Sequence, residues 1–257
     1  MKIGGLIKSI YSMFDILITV APKDYNKLPF VMRSIMLNMP DYHTIYLVSN
    51  DCIPHDKIPI EAKCYLDQYV LDYDFSKINM ESRRGWYRQQ FIKLLQTVTL
   101  DNYLVVDADI CINKPVIIDL THPYFYLGRD QNHAPYFECF NLICRLERVY
   151  PYSFISEMMF FKREIMQHLL NGLGVNVQEF LNICIAAINI VNDGSSFSEY
   201  EFYGNYVTKH WPDLYQYKKI NVFHQKKKRK WTDDEIRNYI DEYKGTNYDL
   251  LTMHSWI

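Results

Sequence analysis

The sequence lacks three features that are typical of membrane-spanning or secreted proteins. No stretch approaches the roughly 18 uncharged apolar residues that a membrane-spanning helix needs. It has no Asn-x-Ser/Thr acceptor for N-glycosylation, and none of its six cysteines forms a Cys-x-x-Cys pair. Residues Met1 to Lys8 are similar to the start of a signal peptide, but Asp15 interrupts the apolar run and no cleavage site follows. We therefore expect a cytoplasmic protein with reduced cysteines and no transmembrane segment.

The sequence also lacks an excess of either charge. It carries 28 basic and 30 acidic residues, for a net charge of -2. This balance excludes a general attraction to nucleic acid or to an anionic membrane, so we expect no nucleic-acid partner. The local exception is the basic run Lys226 to Lys230. It is either a solvated loop, a nuclear-targeting signal, or a contact for a diphosphate, an acidic acceptor or an anionic membrane surface.

Short apolar runs alternate with helical patterns in the first half of the chain. The runs at Phe14 to Ala21, Thr44 to Ser49 and Tyr103 to Val106 are typical of buried parallel strands. Apolar spacing predicts helices at Leu28 to Asn38 and within Glu81 to Thr99. In the second half, helices are predicted at Val177 to Val191, Ser198 to His210 and Trp231 to Lys244. We therefore predict an α/β protein with a mostly parallel central sheet flanked by helices. Residues 1–257 form a single domain in this prediction, divided at about residue 115.

Polar residues follow three of the predicted strands. These are Pro22 to Tyr25, Ser49 to Asp51 and Asp107 to Asp109. In parallel α/β sheets, ligands bind outside the carboxyl ends of the strands, which meet at one edge. The three polar clusters therefore predict a binding site at this edge.

The run Asp107-Ala108-Asp109 predicts a divalent cation. Alternate residues of an extended segment point the same way, so both carboxylates are expected to face one ion, directly or through water. Mg²⁺ and Mn²⁺ prefer oxygen ligands and are often completed by substrate phosphates.

Three blocks of sequence resemble one enzyme family. They are Gly85 to Leu94 (GWYRQQFIKL), Leu100 to Val116 (LDNYLVVDADICINKPV) and Ser198 to Tyr206 (SEYEFYGNY). Their order and separation resemble nucleotide-sugar glycosyltransferases of the GT-A fold, and in particular a little-characterised bacterial and viral branch. The resemblance covers roughly residues 14–210. It implies a Rossmann-like nucleotide-sugar half at about 14–115 and an acceptor half with the C-terminal tail at about 116–257.

The resemblance also implies roles for individual residues. Asp107 and Asp109 would hold a cation that bridges the donor diphosphate, and a late histidine, His254, would return as third metal ligand. His224 and His210 are weaker candidates for that ligand. The other implied donor contacts are Thr19, Ala21, Pro22, Tyr25, Asp51, Arg84, Gln89, Gln90, Lys93 and Ala108. Among them, Tyr25 would stack on the base, Asp51 would accept from the ribose or base, and Lys93 and Arg84 would neutralise phosphate.

Three glutamates are candidates for the chemistry. Ser198 and Glu201 have the spacing of a capping box, which gives Glu201 a structural role at the start of a helix. Inverting GT-A enzymes place a general base at a similar helix start, so the resemblance favours Glu199 as catalytic base. Glu157 is a lone carboxylate in an apolar run, where burial would raise its pKa unless it is paired. It is the second candidate, for a contact with donor sugar or acceptor.

The sequence thus predicts a metal-dependent glycosyltransferase that uses Mn²⁺ or Mg²⁺ and a nucleotide-diphosphate sugar, with a UDP-sugar as the first choice. Its acceptor would be a glycan, a glycolipid or a protein. One alternative is a nucleotidyltransferase, but the Gly-rich phosphate loop that it needs is missing after the first strand. The other is a phosphatase with an aspartate nucleophile, whose Asp-x-Asp normally lies near the N-terminus.

Overall fold

The computed structural model describes residues 13–58, 62–128 and 131–255. The signal-like start at Met1 to Lys8 lies outside these residues. The strands are β1 (Asp15–Val20), β2 (Ile45–Ser49), β3 (Lys63–Leu66), β4 (Asn102–Val106), β5 (Ile110–Ile112), β6 (Tyr124–Leu127), β7 (Met158–Lys162), β8 (Gln216–Lys219), β9 (Val222–Lys227) and β10 (Leu250–Ser255). The helices are α1 (Leu28–Asn38), α2 (Asp67–Val70), α3 (Arg84–Leu95), α4 (Ala134–Cys144), α5 (Arg163–Leu173), α6 (Val177–Val191), α7 (Glu199–His210) and α8 (Asp233–Tyr243).

The central sheet has five strands in the order β3-β2-β1-β4-β7. The first four strands are parallel, and β7 is antiparallel to β4. Helices cover both faces, so the whole of β1 is buried and its sequence DILITV shows no polar alternation. Asp15 is buried at the start of β1 because its carboxylate accepts hydrogen bonds from the Leu100 amide at 2.6 Å and from the His43 ring at 3.0 Å. The predicted mostly parallel α/β architecture is confirmed.

A second sheet of three strands, in the order β5-β10-β9, lies beyond the end of β4. Its central strand β10 is antiparallel to β5 and parallel to β9. The Met253 amide donates to the Asp109 carbonyl at 2.7 Å, which fixes β10 against the turn that follows β4. Strands β6 and β8 form a separate parallel pair. The end of the described chain is therefore held at the carboxyl edge of the central sheet.

Several elements of the second half differ from the sequence-based prediction. The helices α4 and α5 and the strands β5 and β8 to β10 are absent from that prediction, whereas the predicted helix at Val177 to Val191 is confirmed. The predicted helix at Trp231 to Lys244 is shorter and spans Asp233–Tyr243, after a capping box between Thr232 and Glu235. The six cysteines are free thiols.

Within the described ranges, no single helix has the length and apolarity to cross a bilayer. The helices α5 and α6 reach that length and composition only when taken together, and they are bent by 80° at the break between them.

Candidate active site

A cavity of about 420 Å³ opens at the carboxyl ends of β1 and β4. Its wall is formed by α3, by the start of α7, by the segment before β7 and by His254 on β10. Most of the residues that the sequence predicts as site residues lie on this wall. They are Thr19, Ala21, Gln89, Gln90, Lys93, Asp107, Ala108, Asp109, Glu157, Glu199 and His254.

The two aspartates after β4 have different neighbours. Strand β4 ends at Val106, and residues 108–109 form a turn that leads into β5. The expectation that both carboxylates point the same way requires an extended segment, so its premise is wrong here. Asp107 contacts α3 and α7, and Asp109 contacts β10. The two carboxylates therefore belong to two separate networks.

Lys93 joins Asp107 to Glu199. Its Nζ donates to Asp107 Oδ1 at 2.7 Å and to Glu199 Oε1 at 2.6 Å. The hydroxyl of Tyr200 also donates to Asp107 Oδ1, at 3.0 Å. Lys93 and Glu199 are both 4% exposed. The ammonium that the sequence assigns to a donor phosphate is therefore already occupied by two carboxylates.

The two carboxylates keep Lys93 charged. Burial by itself disfavours the ammonium, but Asp107 and Glu199 together raise the pKa of Lys93 above its ordinary value. Burial also raises the pKa of the Glu199 carboxyl, and Lys93 offsets part of that effect. The raised pKa makes Glu199 a stronger base than an ordinary glutamate, while the ammonium at 2.6 Å occupies its Oε1. The general-base role of Glu199 therefore stays a prediction, and its ion pair with Lys93 also helps to hold Asp107 in place.

The start of α7 is held by a buried polar network. The Ser198 hydroxyl caps the helix by accepting from the Glu201 amide, as predicted. The carboxylate of Glu201, however, does not complete a capping box. It accepts hydrogen bonds from the Ser153 hydroxyl, from the Phe154 amide at 3.2 Å and from the Asn205 side chain at 3.2 Å. Glu201 therefore ties α7 to the segment before β7, a tertiary role that the capping pattern does not predict.

Gln90 strengthens the same junction from α3. Its Oε1 accepts from the Glu199 amide at 3.1 Å, and its side chain is 1% exposed. Gln89, one residue earlier, is half-buried and lies 3.4 Å from the Thr19 hydroxyl. Gln89 is therefore more accessible to a ligand than the buried Gln90 and Thr19 are.

Asp109 and His254 meet although they are 145 residues apart. His254 Nδ1 lies 2.9 Å from Asp109 Oδ2, and both side chains are about one-fifth exposed, at 19% and 21%. Burial disfavours the Asp109 carboxylate, but the hydrogen bond to His254 and the nearby charges of His254, Lys27 and Lys23 bring its pKa below the ordinary value. The resemblance places His254 beside the Asp-x-Asp run, and in the structure His254 directly contacts Asp109, the second aspartate of that run.

Glu157 and His224 extend this contact into a cluster. Glu157 Oε1 lies 4.0 Å from His254 Nε2 and 4.0 Å from His224 Nδ1. The two imidazole rings are nearly parallel, with centroids 5.9 Å apart and an interplanar angle of 11°. One potential ligand atom from each of the three residues lies within 4.8 Å of the others. Glu157 thus belongs to an acid–histidine cluster rather than standing alone in an apolar run.

Besides the weaker candidates His210 and His224, four predicted site residues lie outside the cavity wall. Tyr25 is 9% exposed, and its hydroxyl hydrogen-bonds Ser49 Oγ at 2.7 Å and the Asp51 carbonyl at 2.9 Å. The ring is therefore packed in the core and does not present a face for stacking on a base. Arg84 donates to the Ile78 carbonyl at 3.0 Å. Pro22 and the exposed Asp51 complete the four residues.

The cavity wall also contains residues to which the sequence assigns no individual role in the site, although Lys23 and Asp24 belong to the predicted cluster Pro22 to Tyr25. They are Lys23, Asp24, Trp86, Gln131, Tyr136, Ile155, Ser198 and Tyr200. Lys23 is exposed, and its Nζ donates to the Ser255 carbonyl at 3.3 Å. Asp24 is balanced by the fully buried Lys27, whose Nζ lies 2.6 Å from its carboxylate. A signal for Lys23 is available in the sequence, because it directly follows the carboxyl end of β1.

The basic run is only partly a solvated loop. Lys226 and Lys227 belong to β9, and Lys227 lies 3.0 Å from Glu235 and over the Trp231 ring at 4.1 Å. Arg229 also pairs with Glu235. Lys228 and Lys230 are exposed. The contacts of Lys227 and Arg229 reduce the charge that this run offers to an external anion.

Comparison with solved structures identifies the fold. The galactosyltransferase LgtC in complex with donor and acceptor sugar analogues superposes with a TM-score of 0.51 at 11% identity, over 93% of this chain and 86% of that one. Mouse xyloside xylosyltransferase 1 in its apo form superposes with a TM-score of 0.52 at 10% identity, over 93% of this chain and 97% of that one. The chain has the GT-A fold. No family model and no curated protein matches its sequence.

Proposed function

We propose that the protein is a glycosyltransferase that transfers a sugar from a nucleotide-diphosphate sugar, with a UDP-sugar as first choice, to a glycan, glycolipid or protein. The observation that supports it most is the contact between Asp109 and His254 on the wall of the cavity. The contact joins a turn at the end of a parallel strand to a distant strand, at the edge where α/β sheets bind ligands. The fold is shared with a galactosyltransferase and a xylosyltransferase.

The residues beside Asp109 fit a divalent cation. Carboxylate oxygen and imidazole nitrogen are suitable donors for Mn²⁺, and this end of the cavity offers both types within a few ångströms. Lys93 and Tyr200 already occupy Oδ1 of Asp107. Its other carboxylate oxygen would therefore reach the ion, directly or through water. A bound cation would offset the negative charge that develops on the departing diphosphate.

Other residues of the cavity wall bind the donor or position Asp107 in this proposal. Lys23 is the exposed lysine of the described cavity wall, and we assign it to the donor diphosphate in place of Lys93. For the nucleoside or sugar, the cavity wall offers the half-buried Gln89 on α3, which contacts Thr19 near the end of β1. The ion-paired Lys93 and Glu199 hold the side chain of Asp107 in one orientation. Preorganised charges of this kind need no rearrangement when the bond to the leaving group breaks.

The experiment is a thermal-shift panel of nucleoside diphosphates with and without Mn²⁺. A ligand that binds only the folded state stabilises it by about 2.7 kcal/mol at one hundred times its Kd. For a chain of this size that corresponds to a rise of roughly 5–10 °C in Tm. We expect this rise with UDP and Mn²⁺ together, and its loss in Asp109→Ala without a change in the Tm of the ligand-free protein beyond a few degrees.

Release of free sugar from the matching sugar nucleotide then tests the chemistry directly. An unchanged response to UDP and Mn²⁺ in Asp109→Ala would contradict the proposed position of the cation. The absence of a shift with every nucleoside diphosphate would contradict the proposed donor class.

A further inference from the structure

We infer that Trp86 and Tyr136 form the platform that holds the acceptor, with a sugar ring stacked on Trp86 and hydrogen-bonded to Tyr136, and that this sugar is an uncharged pyranose. The inference rests on the proposed glycosyltransferase function and deepens it, because it names the class of acceptor. Both residues lie on the cavity wall, and the sequence assigns neither of them an individual role.

Trp86 lies at the end of the cavity away from Asp107. The residues of α3 that line the cavity are Trp86, Gln89, Gln90 and Lys93, a spacing that places them on one face of the helix. Lys93 contacts Asp107. Trp86 precedes Lys93 by about two helical turns, or about 10 Å along the helix axis. This length of cavity accommodates the transferred sugar beside the diphosphate and a second sugar ring against Trp86.

The Trp86 ring is held by Arg83 on one side. The Arg83 guanidinium lies over the ring, 3.9 Å from its centre. Arg83 is itself fixed, because its Nε donates to the Gly194 carbonyl at 2.7 Å and its Nη2 donates to Ser195 Oγ at 3.1 Å. Trp86 lines the cavity and Arg83 does not, so the part of the ring that a ligand meets is the part that Arg83 leaves uncovered. A ring fixed in this way offers apolar surface for stacking at a small cost in side-chain freedom.

Tyr136 brings a hydroxyl that needs a partner. The residue is 6% exposed and lines the cavity, and its hydroxyl makes no hydrogen bond to any residue within the described ranges. Burial raises the pKa of Tyr136 to about 12, so the hydroxyl stays protonated and can both donate and accept. A polar group withdrawn from bulk water is costly unless a ligand or water completes its hydrogen bonds. A sugar hydroxyl is suited to that position.

One loop positions both rings. Gly194 and Ser195 hold Arg83 against Trp86, as described above. Asp193 Oδ1 lies 3.1 Å from His133 Nε2, and the His133 ring packs edge-on against Tyr136 with centroids 4.6 Å apart. The same loop leads into α7, which begins at Glu199. The platform is therefore connected directly to the predicted general base.

The charges of the cavity wall are concentrated at the opposite end. The charged or titratable residues that line the described part of the cavity are grouped around Asp107 and Asp109 by ion pairs and electrostatic contacts. They are Lys23, Asp24, Lys93, Glu157, Glu199 and His254. Besides the two aromatic residues, the wall offers amides such as Gln89 and Gln131 and the apolar Ile155. Rings and amides suit a neutral sugar, whereas an acidic sugar would find no free cation beside Trp86 among the described residues.

The test measures sugar transfer and donor hydrolysis separately in the full-length protein, with methyl glycosides of neutral hexoses as acceptors and methyl glucuronide as the charged analogue. We expect Trp86→Leu to raise the acceptor KM at least about fivefold, through loss of the stacking surface. Tyr136→Phe should raise it about threefold to tenfold, through loss of one hydrogen bond. Release of free sugar to water should keep its rate and its donor KM in both variants, because water needs no platform.

The control variants separate this role from a structural one. Trp86→Tyr keeps an aromatic ring and should retain most of the acceptor affinity. Trp211→Leu and Tyr69→Phe alter aromatic residues outside the cavity and should leave the acceptor KM unchanged. An unaltered thermal shift with UDP and Mn²⁺ shows that each variant is folded with an intact donor site.

Unchanged acceptor KM in both Trp86→Leu and Tyr136→Phe would overturn the inference. A comparable loss of UDP affinity in Trp86→Leu would assign the ring to the nucleoside, and preferred transfer to methyl glucuronide would make the acceptor acidic, so either result would overturn it as well. Saturation-transfer NMR measures binding of the methyl glycosides without a donor, and absence of binding by the wild type would be a further contradiction. If neutral glycosides bind through Trp86 but no nucleoside diphosphate binds, the proposed glycosyltransferase function fails and this sugar site stands.

Discussion

Replacing Lys93 with methionine removes the charge that Asp107 and Glu199 share. Methionine keeps most of the length and volume of lysine, so the change isolates the electrostatic contribution. The Asp107 and Glu199 oxygens lie 2.7 Å and 2.6 Å from Lys93 Nζ, so they are at most about 5.3 Å apart. At an effective dielectric constant of about 20, two charges at that separation repel each other by at least about 3 kcal/mol once the ammonium is removed. Removal of one partner from a buried ion pair usually costs about 3–5 kcal/mol. We therefore expect Lys93→Met to lower the free energy of unfolding by about 3–5 kcal/mol at pH 8.

The sign of the pH dependence follows from the same contacts. Without Lys93, burial and Asp107 both raise the pKa of Glu199 in the folded state above its unfolded value. Between those two pKa values the folded state binds more protons than the unfolded state, so the stability of Lys93→Met decreases as the pH rises. In the wild type, the raised pKa of Lys93 contributes stability that is fully present below the unfolded lysine pKa. This contribution of Lys93 to stability is therefore constant between pH 5 and 8. The loss of stability caused by Lys93→Met should consequently be smaller at pH 5 than at pH 8.

The assay is urea unfolding at both pH values, followed by tryptophan fluorescence. The double variant Lys93→Met/Glu199→Gln removes one of the two negative charges that repel each other, so it should recover most of the lost stability. It also provides a folded protein if the single variant does not fold. A loss of less than about 1 kcal/mol in Lys93→Met, or no recovery in the double variant, would refute a buried carboxylate pair bridged by Lys93.

Two further predictions concern residues whose roles the structure changes. Glu201→Gln should lower the free energy of unfolding by about 1–3 kcal/mol, because an amide nitrogen would replace one acceptor that faces Ser153 or Asn205. The matched control is Glu179→Gln in the exposed capping box of α6, where glutamine serves nearly as well, and equal losses in the two variants by urea unfolding would contradict the buried network. Lys23→Ala should weaken binding of UDP about tenfold, the loss of one hydrogen bond to a charged phosphate, with a smaller effect in high salt. Lys228→Ala, an exposed lysine of the basic run, should leave UDP affinity unchanged by calorimetry, and an equal effect would assign the diphosphate to that run.

The parts of the fold that could be predicted from the sequence are those with a strong local pattern. The runs that become β1, β2 and β4 are buried on both faces, so they are continuously apolar and recognisable without knowledge of their partners. The strands β8 and β9 are half-exposed and rich in lysine, as in QYKK, so their pairing is determined by contacts with distant strands. Such short polar strands have no periodicity that distinguishes them from loops.

The candidate site divides in the same way. Asp109 and His254 were predicted together because the resemblance supplied the long-range pairing that local pattern cannot. No local pattern predicts that His224 lies near Glu157, because their proximity depends on the register of β9 with β10 and on a left-handed backbone before β7. The two ion pairs of Lys93 are not predictable, because a lysine on a helix gives no local sign that two distant carboxylates will enclose it.

The turn at residues 108–109 explains why the two aspartates of the Asp-x-Asp run are not equivalent. Asp107 directly follows β4 of the central sheet, and it accepts hydrogen bonds from Lys93 on α3 and Tyr200 on α7. Asp109 already belongs to the approach to β5, and its partner lies on β10. The proposed ion would lie between the two sheets, because Asp107 follows β4 of the central sheet while His254 belongs to the second one. Binding of the ion would then stabilise the contact between the sheets as well as the donor, since ligands drawn from both are brought together only in the folded protein.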